Sequence, residues 1–399
     1  MAAEAMMGVA HKTHGMGEER VEPDWQPLTL AEVRVLLSRF PDLGKPVEIL
    51  SMSPRPFSAA SVVRTTSGKA FIKRHHRAVR DCEGLREEHR FMEYLRTHGA
   101  LVPRVFTSIK GETSIAIGDS TYEVHEAPDC IDIYEDALSW TPFQSVAHAH
   151  SAGVALARLH RAAEGFDAPR RKPHPLVASF TIFASDDPLE EAKRYFAARP
   201  ALAASEAAAN CTKDAIELLA AFHAELLPLL PELPSWWTHN DLHASNLLWS
   251  DGGDEAKVAA MIDFGLSDRT CAVHDLAHAI ERNIVEWIAL GRNRNHPEVV
   301  PVHLDHLHAL LDGYESVRPL SAAEAATLAP MTALCHVEFA LSEADYFLGI
   351  LHSKEKARMA YYGWMVKHAR WFLGSEGRVL LDAIRQRCRT GMRQGKVAP

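Results

Sequence analysis

The sequence predicts an α+β fold of two lobes, a small lobe built on an antiparallel sheet and a larger, mainly helical lobe. Up to about Ala127, short segments rich in β-branched and aromatic residues alternate with turn residues. Beyond that point, apolar residues recur at helical spacing in several long segments. We therefore assign residues 26–127 to the small lobe and residues 128–399 to the helical lobe. We expect residues 1–25 to form a flexible tail.

The small lobe is predicted to contain a helix, three strands, a second helix and two more strands. Thr29 and Glu32 stand in capping-box register at the start of the first helix. The three strands are predicted in "VEILSM", "SAASVVRTT" and "KAFIKRH", and the second helix in "CEGLREEHRFMEYLRTHG", which Gly99 closes. The last two strands are predicted around "TSIAIG" and "TYEVHE".

The helical lobe contains long segments with apolar residues on one face, such as "SVAHAHSAGVALARLHRAAEG". We expect Pro330 to break the helix predicted in "AAEAATLAPMTALCHVEFALSEADYFLGILH", because proline lacks the amide proton that a helix interior uses. One β element interrupts the helices. The segments "NLLWS" and "KVAAMIDFG" flank "DGGDEA", a turn sequence that strongly predicts a hairpin.

The composition excludes several classes of partner. Among 399 residues, 43 Lys and Arg stand against 52 Asp and Glu, a net charge of −9. Because binding to a phosphate backbone needs concentrated positive charge, we expect no nucleic-acid partner. The six cysteines form no CxxC pair, and the first twenty residues lack the apolar run of a signal peptide. We expect a cytoplasmic protein with reduced thiols, no membrane partner, and a monomeric or homodimeric state.

The stretch "THNDLHASNLLW" admits two kinds of chemistry. In the first, His239 and Asp241 combine with the distant His308 in the residue pattern of an iron facial triad. That kind of site belongs to an all-β barrel, whereas the segments after residue 265 are predicted to be helical. We therefore disfavour the iron interpretation.

The second kind of chemistry is phosphoryl transfer, and it accounts for more residues. Such a reaction needs a carboxylate near the acceptor hydroxyl, Mg²⁺ between phosphate oxygens, and a cation on the nucleotide phosphates. Asp241 is the candidate base, and Asn246 and Asp263 are candidate oxygen ligands for Mg²⁺. The predicted hairpin would place the loop that carries Asn246 beside the loop that carries Asp263.

The motifs "THNDLHASNLLW", "MIDFG" and "HDLA", in this order, resemble those of the aminoglycoside phosphotransferase and choline/homoserine kinase superfamily. The resemblance extends from about Val47 to about Ala277 and implies a protein-kinase-like fold that binds ATP. It also implies that Lys73 of "AFIKR" holds the α- and β-phosphates and pairs with Glu88, with Glu87 as an alternative. The implied connector, whose backbone contacts the nucleotide base, consists of Glu123, Val124, His125 and Glu126.

The same resemblance gives His239 and Asp275 structural roles in supporting the catalytic loop. The chain departs from the kinase pattern in one respect, because "MSPRPFSAAS" contains no glycine where kinases have a glycine-rich phosphate loop. We expect the hydroxyl of Ser58 or Ser61 to substitute there, and the choice between ATP and GTP stays open.

Carboxylates on the later helices are candidates for binding the acceptor substrate. Glu281, Glu338 and Asp345 would suit an acceptor that bears an amine, such as an amino alcohol, an amino acid or an aminoglycoside; a sugar is a further class. Acidic residues on helices are equally typical of a solvated surface, so periodicity alone does not decide between the two.

The sequence therefore predicts an ATP- and Mg²⁺-dependent phosphotransferase that acts on a hydroxyl of a small molecule. A protein Ser/Thr kinase is one alternative, which the short segment after Gly265, without an "APE" motif, disfavours. The other alternative is a non-catalytic nucleotide-binding regulator. The joint presence of Lys73, Asp241, Asn246 and Asp263 argues against it.

Overall fold

The computed structural model describes residues 11–14, 20–290 and 299–394. The chain divides into two compact units. The first comprises Met1–His89 and Pro103–Asp129, and the second comprises Arg90–Val102 and Cys130–Pro399. The second boundary lies close to the predicted one after Ala127, whereas residues 90–102, which we assigned to the small lobe, pack with the second unit. The predicted α+β fold class is confirmed.

The first unit is built on a five-stranded antiparallel sheet. In chain order, its strands are β1 Thr13–His14, β2 Arg20–Val21, β3 Pro46–Met52, β4 Ala59–Thr65, β5 Gly68–His76, β6 Ser114–Ile117 and β7 Ser120–Glu126. Its helices are α1 Leu30–Leu37 and the first part of α2 Cys82–Thr97. The strand order β3-β4-β5-β7-β6 places β5 at the centre of the sheet, and β1 and β2 form a separate pair.

Helix α1 begins as the sequence predicts and closes one side of the sheet's apolar core. The Thr29 hydroxyl accepts a hydrogen bond from the Glu32 amide at 3.2 Å, and the Glu32 carboxylate accepts one from the Thr29 amide at 3.3 Å. Leu36 is buried in one cluster with Ile72 of β5 and Val124 of β7. Burial of this apolar face holds a short helix that would be marginal by itself.

Part of the predicted flexible tail is packed. Thr13 and His14 are buried, and their strand pairs with Arg20–Val21. The His14 amide also donates to the carbonyl of Pro54 at 2.7 Å. The prediction of a free tail is therefore wrong for these residues, while residues 1–10 and 15–19 lie outside the described part of the chain.

The second unit is mainly helical. Its helices are α3 Val146–Ala163, α4 Pro188–Ala197, α5 Pro200–Ala203, α6 Glu206–Leu226, α7 Ala272–Ile284, α8 Leu304–Glu315, α9 Ala322–Leu334, α10 His336–Gly349, α11 Lys354–Arg358, a π-helical turn over Met359–Val366, α12 Lys367–Leu373 and α13 Ser375–Gln394. Its short strands are β8 Ser235–Thr238, β9 Leu247–Trp249, β10 Val258–Met261 and β11 Asp268–Cys271. The predicted hairpin is confirmed, because β9 and β10 pair antiparallel across the "DGGDEA" turn. Strand β8 pairs with β11.

The predicted break at Pro330 is wrong. Helix α9 continues through Pro330 to Leu334, and α10 begins two residues later at His336. Proline lacks an amide donor and its ring crowds the preceding turn, but the position is buried among apolar neighbours, whose packing holds the helix together.

Two whole-chain expectations concern membranes and thiols. Among the described residues, no helix is both long and apolar enough to span a bilayer. All six cysteines are free thiols, and Cys271, Cys335 and Cys388 are buried.

Candidate active site

The catalytic loop joins β8 to β9, and it brings the two residues that stand five apart into contact. The side-chain amide of Asn246 donates to the backbone carbonyl of Asp241 at 2.9 Å and to its carboxylate Oδ2 at 3.2 Å. The second carboxylate oxygen, Oδ1, accepts a hydrogen bond from the guanidinium of Arg282. Both Asp241 and Asn246 are buried.

The hairpin places the two candidate metal-ligand residues on adjoining loops. Leu247 pairs with Met261, and the Ile262 amide donates to the carbonyl of Asn246 at 3.0 Å. Asp263, the next residue, has φ of +61°, a left-handed conformation that a non-glycine residue adopts at some cost and that recurs at functional sites. The Asn246 amide nitrogen is bound to Asp241, so its oxygen is the atom that would face a metal. An amide oxygen and a carboxylate are hard donors and fit Mg²⁺.

His239 supports the loop and does not act as a metal ligand. Its Nε2 donates to the carbonyl of Ile262 at 3.0 Å, and its Nδ1 accepts from the Asp241 amide at 3.2 Å. Burial lowers the pKa of His239, which keeps the ring neutral, as these two bonds require. Since both ring nitrogens are used, the iron interpretation loses its first ligand.

Asp275 of α7 braces the same loop. Its carboxylate accepts the amides of His239 and Asn240, each at 2.9 Å, and Nε2 of His160 at 3.0 Å. Burial alone would raise the pKa of Asp275, but the hydrogen bond and charge of His160 hold it below its ordinary value. Asn240, which follows His239, is left-handed with φ of +61°. The structural role that the motif resemblance implies for Asp275 thus matches its contacts.

The candidate nucleotide residues belong to the first unit. Lys73 lies half-buried on β5, where it is the register partner of Ala60 on β4 and Glu123 on β7. Glu88 is buried on α2, whereas Glu87 is half-buried. Ser58 immediately precedes β4. The phosphate-binding roles of these residues and the pairing of Lys73 with Glu88 stay predictions.

The four residues of the predicted connector are the last four of strand β7. The Glu126 amide donates to the Arg104 carbonyl, and the Val124 carbonyl accepts from the Phe106 amide, both at 2.8 Å. The Glu126 amide and the Val124 carbonyl thus bind within the protein, and the contact of residues 123–126 with a nucleotide base stays a prediction.

Glu123 carries a buried histidine cluster that periodicity did not reveal. Its carboxylate accepts Nε2 of His75 at 2.8 Å, of His89 at 2.7 Å and of His125 at 2.8 Å. Burial would raise the pKa of Glu123, but the charge and hydrogen bond of His125, with the bonds from the other two rings, hold it well below its ordinary value. Glu123 and His125 therefore stabilise the sheet of the first unit through their side chains.

The three predicted acceptor carboxylates are all buried, so the interpretation as solvated helix faces is wrong for each. Glu281 accepts Nδ1 of His368 at 3.1 Å. Glu338 accepts the amide of Ile182 at 2.6 Å together with the amide and hydroxyl of Thr181, so its carboxylate is used to hold a loop against α10. Burial raises the pKa of Asp345 to about 6.

Two residues that the sequence did not single out complete the site. Arg282 is fully buried, binds Asp241, and lies 4.1 Å over the ring of Phe339 on α10. The Asn283 carboxamide accepts the Ala244 amide at 2.8 Å and donates to the Leu242 carbonyl at 3.0 Å. Both residues follow the "HDLA" motif on α7, a helix that is buried on every face. Because burial of every face leaves no periodic pattern, the sequence carried no signal that singles out these two residues.

Comparison with known proteins agrees with this geometry. The profile of the phosphotransferase enzyme family, APH, matches residues 55–320. A homoserine kinase from Phenylobacterium zucineum (strain HLK1) is 27% identical over 302 residues, covering 75% of this chain and 80% of that protein.

Two solved structures share the fold. A microcompartment-associated aminopropanol kinase has a TM-score of 0.55 at 16% identity, covering 88% of this chain and 99% of the other. An amicoumacin kinase in complex with AMP-PNP and Ca²⁺ has a TM-score of 0.54 at 15% identity, covering 84% and 92%. At these identities the likeness establishes the fold, while the family profile covers most of the chain. The chain therefore belongs to the phosphotransferase enzyme family and is a small-molecule kinase of the protein-kinase-like fold.

Proposed function

We propose that this kinase transfers the γ-phosphate of ATP, with Mg²⁺, to a hydroxyl of a small molecule that also bears an amine. The observation that carries the proposal is that hydrogen bonds connect the loop of Asp241 and Asn246 to the loop of Asp263. Asn246 contacts the carboxylate of Asp241, and its own carbonyl binds the residue before Asp263. A base and two oxygen donors at adjoining positions are what phosphoryl transfer needs.

In this mechanism Asp241 orients the acceptor hydroxyl and takes its proton. The acceptor oxygen forms the new bond to the γ-phosphorus as the bond to the β-phosphate oxygen breaks, and ADP leaves with that electron pair. Asn246 and Asp263 would hold Mg²⁺, which supplies positive charge to the phosphate oxygens. Lys73, oriented by Glu88, neutralises the α- and β-phosphates. His239 and Asp275 keep the loop that carries Asp241 in position.

The amine-bearing acceptor class has support from two directions. A similar protein is a homoserine kinase, and a similarly folded one is an aminopropanol kinase. Buried carboxyl groups also stand on the helices that follow the catalytic loop, Glu281 and Asp345 among them. Amino acids and amino alcohols are therefore favoured over unmodified sugars.

The test is a screen for ADP release with amino acids, amino alcohols, aminoglycosides, sugars and Ser/Thr peptides. Asp241→Asn should abolish release with the best acceptor, while Asp251→Asn, in the exposed hairpin turn, should leave it unchanged. Preferred turnover of a peptide would favour the protein-kinase alternative. If no acceptor is phosphorylated while MgATP raises the melting temperature, the chain is a nucleotide-binding regulator and the proposal is wrong.

A further inference from the structure

A cluster of buried polar groups lies beside Asp241, between helices α7 and α10. It consists of His278 and Arg282 on α7 and Glu343 on α10, and we call it the acceptor cluster. His278 and Arg282 are four residues apart, so they share one face of α7. Phe339 and Glu343 share one face of α10 in the same way, and Phe339 stacks against the Arg282 guanidinium. All three members of the cluster are at most 3% exposed.

One edge of Arg282 has no hydrogen-bond partner within the described part of the chain. Its Nη1 donates to Asp241, but Nε and Nη2 are buried and bind no acceptor among the described residues. Nε–H and Nη2–H point in parallel along one side of the guanidinium. This side binds a carboxylate through two parallel hydrogen bonds. Since a buried donor is rarely left unsatisfied in a folded protein, the edge points to a ligand group.

The other members of the cluster are also unsatisfied. In the described structure, both ring nitrogens of His278 and Oε2 of Glu343 are buried without a hydrogen-bond partner. Burial raises the pKa of the Glu343 carboxyl well above its ordinary value, an effect that Arg282 opposes and Asp241 reinforces. Burial also keeps the His278 ring neutral by lowering its pKa well below the ordinary value. The Glu343 carboxyl and the His278 ring are therefore uncharged hydrogen-bond acceptors for an ammonium group. Because neither carries a negative charge, they do not repel a carboxylate bound at Arg282.

We propose that Arg282 is the specificity-determining residue of the acceptor site and binds a carboxylate of the acceptor, while Glu343 and His278 take its ammonium group. The acceptor is then a hydroxy amino acid. The inference rests on the proposed function, whose acceptor class it narrows. Because Arg282 also binds Asp241, a carboxylate on its open edge would position the acceptor hydroxyl relative to the base.

The proposed site predicts different kcat/KM values for two acceptors that share the same hydroxyalkyl chain and amine. L-Homoserine has a carboxylate, and 3-aminopropan-1-ol lacks it. An acceptor without the carboxylate leaves Nε–H and Nη2–H of Arg282 without a hydrogen-bond partner. Sites that hydrogen-bond a substrate group turn over an analogue that lacks the group with a much lower kcat/KM. We expect kcat/KM to be about 100-fold or more higher for L-homoserine than for 3-aminopropan-1-ol.

The experiment measures kcat and KM for both acceptors with the wild-type enzyme, Arg282→Lys and Arg282→Met. Lysine keeps the charge but loses the parallel donors, so Arg282→Lys should raise KM for L-homoserine more than for the amino alcohol. Arg282→Met should erase the preference. The matched control is Arg318→Lys. Arg318 is also largely buried and pairs with a carboxylate, that of Glu324 at 2.7 Å, but it is not part of the acceptor cluster. It should keep the wild-type preference.

A second measurement separates failure of this inference from failure of the proposed function. Without nucleotide, L-homoserine should raise the melting temperature of the wild type and of Arg318→Lys, and much less that of Arg282→Lys or Glu343→Leu. The wild-type comparison of acceptors does not depend on whether any variant folds.

The possible results distinguish failure of the role of Arg282 from failure of the proposed function. A wild-type enzyme that prefers 3-aminopropan-1-ol, or a preference for L-homoserine that survives Arg282→Met, overturns the role of Arg282 while the kinase function stands. If no acceptor is turned over but L-homoserine binding depends on Arg282, the carboxylate site is supported and the proposed function is wrong. If L-homoserine neither binds nor reacts, the inference is wrong.

Discussion

At the scale of single residues, Asp263 offers a direct test of metal use. Asp263→Asn removes the negative charge from the candidate Mg²⁺ ligand without changing its size. We expect kcat/KM to fall by about 100-fold or more, because charge that stabilises the transferring phosphate is lost. The Mg²⁺ concentration needed for half-maximal rate should rise. Asp251→Asn, in the exposed hairpin turn, is the control, and an unchanged Mg²⁺ dependence of Asp263→Asn would contradict the assignment.

A second residue-scale test concerns the buried carboxyl group of Asp345 and the pH dependence of stability. Its pKa is raised to about 6 by burial, against an ordinary value of 3.8. A folded pKa above the unfolded one means that the wild type loses stability as the pH rises from about 4 through about 6. Asp345→Asn does not titrate, so its melting temperature relative to wild type should be higher at pH 8 than at pH 5. Asp382→Asn, at an exposed position, should show a difference that does not vary with pH.

At the scale of elements, α3 and α8 cross at two glycines. A Cβ at Gly153 would collide with the Leu310 carbonyl, and one at Gly313 with the His150 carbonyl. Helix propensity favours alanine by about 1 kcal/mol, but overpacking costs about 1–3 kcal/mol, so we expect both Gly→Ala variants to be destabilised. Urea unfolding measures the change. Gly363→Ala, where a Cβ would meet only ordinary contacts, should be neutral or stabilised by up to about 1 kcal/mol, and equal effects at all three positions would refute the close-crossing account.

The elements also show which parts of the site a sequence can predict. The hairpin of β9 and β10 follows from the turn "DGGDEA" between two apolar runs, and it determines that Asn246 and the Asp263 loop adjoin. Helix α7 shows the opposite case. All its faces are buried, so periodicity gives no inward direction, and Arg282 and Asn283 stay indistinguishable from surface residues until the neighbouring helices are in place.

At the scale of the whole molecule, buried histidines predict acid sensitivity. Within the described part of the chain, six of them have a pKa lowered chiefly by burial, among them His274 at about 3 and His336 at about 4; the others are His75, His239, His278 and His306. The unfolded chain binds protons near pH 6.5 where the folded chain does not, so stability falls as the pH decreases through that value. Each such group contributes up to about 1.4 kcal/mol per pH unit.

Among the residues that the structure describes, four buried carboxyl groups with a raised pKa act in the opposite direction but are outnumbered by the histidines in the range from pH 7.5 to pH 6; they are Asp268, Glu338, Glu343 and Asp345. The free energy of unfolding in urea should therefore decrease over that range. His336→Gln should make the decrease shallower, whereas His150→Gln, at an exposed position, should not. A flat profile for the wild type would show that the buried rings are protonated in the folded state.

The fold class, the hairpin, the capping box of α1 and the order of the motifs in the catalytic loop can all be predicted from the amino-acid sequence. These features depend on residues close together in the chain, and local backbone preferences settle them. Three contacts became visible only once the chain was folded: Glu123 binds a histidine cluster, Glu338 binds the loop at Thr181 and Ile182, and Arg282 binds Asp241. Those contacts join residues tens of positions or more apart, and a side chain's partners depend on helix rotation, which packing against other elements fixes.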